Sequence, residues 1–158
     1  LSLLPERGRL LICGVGPERE NLAQLAEEMG VSDRVTFLGF RNDIAEIMSV
    51  SDCLVFPSIH EGLPVSVMEA MASGLPVIAS AIRGISPDLI ENGKNGLLLR
   101  DDSPDAIAEC VFKLMESKSM ASEMATRAAS DAQEFGIDRI LGRETRVYSM
   151  GRFDGSAD

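Results

Sequence analysis

The sequence has no tryptophan, one tyrosine, one histidine and three cysteines, and each scarcity removes a class of function. Cys13, Cys53 and Cys110 form no Cys-x-x-Cys pair and do not cluster with His60, so disulfide and zinc frameworks are poor readings. The three thiols read as reduced core residues of a cytoplasmic protein. Positive charge is scarce too: 15 Lys and Arg face 25 Asp and Glu, a net charge of −10. That balance argues against nonspecific binding to nucleic acid or to an anionic membrane surface. No apolar run reaches 18 residues and no signal peptide is evident, so no transmembrane segment is predicted.

What is present is enough apolar residue for a core. At 158 residues and 45% apolar content, a single domain would bury about 68–70% of its unfolded surface. Short apolar runs alternate with helical stretches. Arg9 to Cys13, Arg34 to Leu38, Cys53 to Phe56, Val77 to Ser80 and Gly96 to Leu99 are the predicted strands, and their near-continuous apolarity suggests cover on both faces. Glu18 to Met29 is helical in period through Leu22, Leu25 and Met29 and stops at Gly30, and Asp43 is placed to cap Ile44 to Val50. This alternation predicts an α/β fold with a Rossmann-like parallel sheet between helices and right-handed crossovers. Further on, Ser103 is expected to cap a helix with Pro104 at its first position, followed by helices from about Ser119 to Glu134 and from Ile137 to Met150. The domain is expected over 1–150, with 151–158 a disordered tail. Leu1 to Pro5 looks like the end of a helix, which reads as a fragment whose upstream sheet partner is missing.

In parallel sheets of this kind ligands bind beyond the carboxyl ends of the strands. Three segments fall there: Gly14-Val-Gly16, Gly39-Phe40 and Glu61-Gly62. Around the last, His60-Glu-Gly-Leu-Pro-Val-Ser-Val-Met-Glu69 places two carboxylates on either side of a helix start whose first turn is expected to hold Leu63, Pro64, Val65 and Ser66. The free amides of Gly62, Leu63, Val65 and Ser66, with the positive end of the helix dipole, would form an anion site suited to a phosphate or diphosphate. Glu61 and Glu69 can accept hydrogen bonds from hydroxyls on either side of that anion. A sugar, a diphosphate and a ribose fit the three elements. Paired glutamates also suggest glycoside hydrolysis, but eight residues of helix rise about 12 Å, whereas hydrolase carboxyls stand about 5 to 9.5 Å apart. The loop before Leu63 can change that distance in either direction, and the pair is expected to span a longer ligand.

The remaining motifs are weaker. Gly14-Val-Gly16-Pro17 opens a helix after a strand, yet Arg19 stands where a dinucleotide fingerprint needs its third glycine. The turn serves either close approach of a ligand or the turn itself. Phe40 could offer its ring to a base or to packing. His60 has no carboxylate and serine arrangement of a triad near it. Asp101-Asp102 reads as a solvated turn before the Ser103 cap, and no Asp-x-Asp is present to hold a divalent ion under a diphosphate. Arg83 and Lys94 are loop cations that could meet a phosphate.

From about Leu10 to Tyr148 the chain resembles the donor-binding half of retaining GT-B glycosyltransferases of family 4 (glycosyl transferases group 1). The marks are Leu11-Ile-Cys-Gly-Val-Gly-Pro17, Asp33-Arg-Val-Thr-Phe-Leu-Gly-Phe40, Ser51-Asp52, Phe56-Pro-Ser58, Glu61-Gly-Leu-Pro64, Glu69-Ala-Met-Ala-Ser-Gly-Leu-Pro-Val77 and Asn92-Gly-Lys-Asn-Gly-Leu-Leu98. The resemblance implies that Glu69 bonds the ribose, that Glu61 faces the donor sugar in the catalytic site, and that intervening amides hold the diphosphate of a UDP- or GDP-linked sugar. It implies transfer of a hexose, in polysaccharide biosynthesis, to a glycan or lipid-linked acceptor, with no metal and no cofactor beyond the donor itself. The family's leaving-group Arg and Lys and its acceptor domain lie upstream of the matched residues, so this chain alone is expected to be inactive. The implied location is the cytoplasm, or the inner membrane periphery through the missing domain. Two alternatives stay open: a noncatalytic nucleotide-sugar-binding module that needs a partner chain, and a GT-B epimerase acting on the same donors.

Overall fold

The computed structural model describes residues 1–82, 85 and 88–135. Among the described residues are five strands and five helices, the first four strands alternating with helices as the apolar pattern predicts. They are β1 (Leu10–Cys13), α1 (Arg19–Glu28), β2 (Val35–Gly39), α2 (Ile44–Ser49), β3 (Leu54–Phe56), α3 (Val65–Ala72), β4 (Val77–Ser80), β5 (Leu97–Leu99), α4 (Pro104–Glu116) and α5 (Lys118–Ala132). One-turn 3₁₀ helices lie at Ser32–Arg34 and Gln133–Phe135. The predicted helix over 137–150, with Tyr148, and the tail over 151–158 lie outside the described residues.

Among the described residues all strand pairings are parallel, and they form two sheets rather than one. β1 pairs with β2, with an irregularity between Ile12 and Cys13, while β3, β4 and β5 form the second sheet in that order. β4 meets the expectation of cover on both faces most fully, and its neighbours β3 and β5 also set alternate side chains against both core clusters. Val77, Ile78 and Ala79 of β4 are fully buried, between a cluster containing Val67, Met71, Ile85, Ile90 and Ala128 and another containing Leu97, Cys110, Leu114 and Met124. β1 does not meet it. Leu10 and Leu11 are 38% and 41% exposed, and no described strand pairs with the edge of β1 opposite β2.

α1 forms where the period places it, ending before Gly30. Its periodic stripe of Leu22 and Leu25, continued by Met29, remains open at 42–52% exposure, and the residue it buries is Ala26. A two-stranded sheet is too narrow to cover a ten-residue helix and its large side chains. Residues 1–8 are successive turns rather than a helix end, closed by Leu4 N–H to the Leu1 carbonyl and Gly8 N–H to that of Pro5.

Capping divides by chemistry. Ser103 caps α4 as predicted, its Oγ accepting from Ala106 N–H at 3.2 Å with Pro104 in the first turn. Ser117 does the same for α5 through Met120 N–H. Asp43 stands at the N-cap of α2 but makes no side-chain cap, because its carboxylate is hydrogen-bonded to Arg41 instead. That bond holds the Asp43 carboxyl below its ordinary range and raises the Arg41 guanidinium in return.

Candidate donor site

The helix start between the two glutamates is built differently from the sequence expectation. α3 begins at Val65, and Pro64 is its N-cap rather than part of its first turn. With φ −80° and ψ 75°, Pro64 is the centre of an inverse γ-turn in which Val65 N–H donates to the Leu63 carbonyl at 2.9 Å. Val65 therefore drops out of the set of free donors. The Pro64 carbonyl accepts from both Val67 and Met68 N–H, so the next amides are engaged as well. Among the described residues, the amides of Gly62, Leu63 and Ser66 have no backbone acceptor. Three donors at the positive end of an eight-residue helix remain for an anion.

The glutamates flank this start from different elements. Glu69 is exposed on α3, about 6 Å along the axis from Val65 at 1.5 Å per residue. Glu61 is half-buried in the loop after β3, and its Oε1 accepts from the Ser58 hydroxyl at 2.8 Å. Sequence reasoning did not single out Ser58 as a site residue. The signal available was a hydroxyl three residues before the carboxylate. His60 is exposed, and its carbonyl lies 3.2 Å from the same hydroxyl.

The glycines of β1 and β2 lie at the carboxyl ends of their strands, as predicted. Gly14 N–H donates to the Gly39 carbonyl at 2.7 Å, joining the two turns. Gly14 and Gly39 have φ of 121° and 64°, which side-chain-bearing residues rarely adopt, so backbone geometry alone accounts for them. Gly16 and Gly62 are different. Neither has positive φ, and an added Cβ at either would find no atom within 4 Å. Packing within the chain does not require glycine at those two positions, whereas close approach of an external group would. Phe40 is 75% exposed, so its ring packs against little of the described residues. Arg19, in the place of the third fingerprint glycine, lies over the Phe37 ring at 5.4 Å. No hydrogen bond among the described residues links Gly14, Gly16, Gly39 or Phe40 to Glu61 or to the start of α3.

Other candidates resolve into structural roles. Lys94 pairs with Glu91, and Arg83 lies outside the described residues. Asp101 accepts from Ser103 N–H at 3.0 Å, and hydrogen bonding to the Ser103 side chain, then to its backbone, lowers the Asp101 pKa. Asp102 is not simply solvated, because it accepts from the buried Ser80 hydroxyl at 2.6 Å. A cleft of about 300 Å³ lined by Gly93, Lys94, Met120, Glu123, Met124 and Arg127 includes none of the predicted donor-site residues. Among the described residues no three His, Cys, Asp or Glu side chains gather as a metal centre would. No helix among them is long and apolar enough to cross a membrane.

Residues 3–131 match the family model described as glycosyl transferases group 1. The chain is 32% identical over 148 residues to N-acetyl-alpha-D-glucosaminyl L-malate synthase of Bacillus anthracis, covering 92% of this chain and 39% of that protein. It is 34% identical over 153 residues to D-inositol 3-phosphate glycosyltransferase of Corynebacterium glutamicum, covering 92% and 36%. The chain thus spans under two fifths of the length of these relatives. Among solved structures, Anabaena HepE in complex with UDP and glucose superposes with a TM-score of 0.87 at 27% identity, over 94% of this chain and 42% of HepE. The α/β arrangement of parallel sheets flanked by helices is that of GT-B glycosyltransferases.

Proposed function

Since the chain belongs to the glycosyl transferases group 1 family, we propose that it is the nucleotide-sugar-binding part of a retaining family 4 enzyme. The full protein would transfer a hexose from a UDP- or GDP-linked donor to a glycan or lipid-linked acceptor without a metal ion. The observation that carries this reading is the start of α3. Free amides of Gly62, Leu63 and Ser66 stand between one carboxylate in a loop and another on the helix. An anion takes the amides, and each carboxylate takes hydroxyls, so a diphosphate with a sugar on each side uses every group.

In this reading Glu69 accepts from the ribose hydroxyls and Glu61, the catalytic-site carboxylate, orients the donor sugar. Gly62, Leu63 and Ser66 hold the diphosphate, with Val65 contributing its side chain rather than its amide. Gly16 admits the ligand to the backbone, Gly14 and Gly39 shape the turns, and Phe40 offers its exposed ring to the base. The UDP and glucose bound in HepE support a uridine donor for this chain. Neutralising the leaving diphosphate is a large part of such a reaction. In this reading that role, and the acceptor wall, fall to the length of the relatives that this chain does not span, so these 158 residues alone are expected not to turn over.

The test is calorimetry of the 158-residue chain with UDP, GDP, ADP and their hexose conjugates, with and without chelator. Binding of one nucleoside diphosphate family, unchanged by excess EDTA, is the expected result. Absence of binding by all of them would overturn the donor-site reading, and a strict need for magnesium or manganese would overturn its metal-free form.

A further inference from the structure

We infer that Ser58 is a positioning residue that sets the Glu61 carboxylate for the donor sugar, an inference that rests on the reading of Glu61 just given. Ser58 lies two residues beyond the end of β3, separated from it only by Pro57, whose ring fixes φ. Ser58 thus stays close to the end of the sheet, while Glu61 sits further along the loop with the exposed Ile59 and His60 before it and Gly62 after it. Among the described residues, the 2.8 Å bond from Ser58 Oγ to Glu61 Oε1 is the one hydrogen bond made by the Glu61 side chain.

The chemistry favours that partner over the alternative. A serine hydroxyl has one proton, and two acceptors lie near it: the Glu61 carboxylate at 2.8 Å and the neutral His60 carbonyl at 3.2 Å. The nearer, charged acceptor forms the stronger bond. With Oε1 engaged, the carboxylate is fixed about its terminal torsion and Oε2 is left to accept from a sugar hydroxyl. A glutamate otherwise loses several freely turning torsions on binding, and Ser58 removes that cost before the ligand arrives.

Ser58→Ala deletes the hydroxyl from a half-buried site and leaves the backbone unchanged. The effect expected is loss of the affinity that the sugar adds, about three- to tenfold, with affinity for the free nucleoside diphosphate retained. Calorimetry would compare UDP and GDP with their hexose conjugates on the wild-type chain and on Ser58→Ala, Ser58→Thr and Glu61→Ala, with melting curves for each. The inference predicts that Ser58→Ala copies Glu61→Ala on the sugar increment and that Ser58→Thr, which keeps the hydroxyl, restores it. If Glu61→Ala removes the increment and Ser58→Ala does not, Ser58 has no positioning role although the reading of Glu61 stands. If Ser58→Ala weakens both ligand classes equally or lowers the melting temperature in step with affinity, its role is structural and the inference fails. If Glu61→Ala changes nothing, or no conjugate binds more tightly than its own diphosphate, the reading of Glu61 fails and takes the inference with it.

Discussion

Asn95 and Asp131, 36 positions apart, are joined by a 2.9 Å hydrogen bond from Asn95 Nδ2 to Asp131 Oδ2 that ties the turn before β5 to α5. The same nitrogen donates to the Leu89 carbonyl at 3.0 Å, and Asn95 Oδ1 accepts from Glu91 N–H at 2.8 Å. Asn95 is 4% exposed, so no water replaces these partners cheaply. Asn95→Ala is expected to cost about 2–3 kcal/mol by leaving the Leu89 and Glu91 backbone groups unpaired. A urea midpoint equal to that of the wild type would show that the network contributes nothing.

Gly96 gives a second stability prediction next to the first. A Cβ there would lie 2.9 Å from Ile90 Cγ2 and 3.0 Å from the Val77 carbonyl. Ile90 is 1% exposed and Val77 is in the fully buried strand, so neither neighbour moves easily. Gly96→Ala should destabilise by about 1–3 kcal/mol, as overpacking does. The comparison is Gly62→Ala, where the added methyl meets nothing within 4 Å. Chemical denaturation should find Gly62→Ala near wild type, and calorimetry should find it impaired in nucleotide binding.

The order of strands and helices was readable because a buried parallel strand and an amphipathic helix leave different periods in the sequence. What those elements touch was not readable. Leu10 and Leu11 are as apolar as Val77 and Ile78, yet the latter are buried between two packed clusters and the former are not, a difference of what packs on each face that periodicity does not encode. The Ser103-Pro104 start of α4 was visible because the cap and the first turn are local. The start of α3 was half visible. Proline after a loop does announce a helix, but its ψ of 75° sends the Val65 amide back to Leu63 rather than out to a ligand. The Ser58 to Glu61 bond depends on the path of a four-residue loop, and no spacing rule for helices or strands reaches it.

The cysteines should separate by reactivity. Cys13 is exposed, whereas burial, with a smaller contribution from Asp52, pushes the Cys53 thiol up from 9.0 to about 11, and burial also raises Cys110. Thiolate is the nucleophile, so iodoacetamide at neutral pH should modify Cys13 first and the other two only on unfolding. The sign with pH follows. Between about 9 and 11 the folded chain keeps a proton on Cys53 that the unfolded chain releases, so stability is complete below pH 9 and falls as pH rises toward 11. Cys53→Ala should flatten that part of the profile of urea midpoint against pH. Rapid labelling of all three thiols in the native chain would contradict the burial.

Glu69 supplies the last prediction, because its place on α3 separates it from Glu61 in the loop after β3. Glu69→Ala removes a charged acceptor for ribose hydroxyls, and hydrogen bonds to charged groups are worth about 1.5–3 kcal/mol. Affinity for UDP and for a UDP-linked hexose should fall by the same factor, on the order of ten- to a hundredfold. Glu61→Ala should spare UDP and remove only the sugar increment. If the two side chains serve opposite ends of one ligand without touching, their effects on the conjugate should add to within about 0.5 kcal/mol in the double variant. Strong non-additivity would place both carboxylates on one group of the ligand. An unchanged UDP affinity in Glu69→Ala, with the helix intact by circular dichroism, would remove the ribose from its proposed partner.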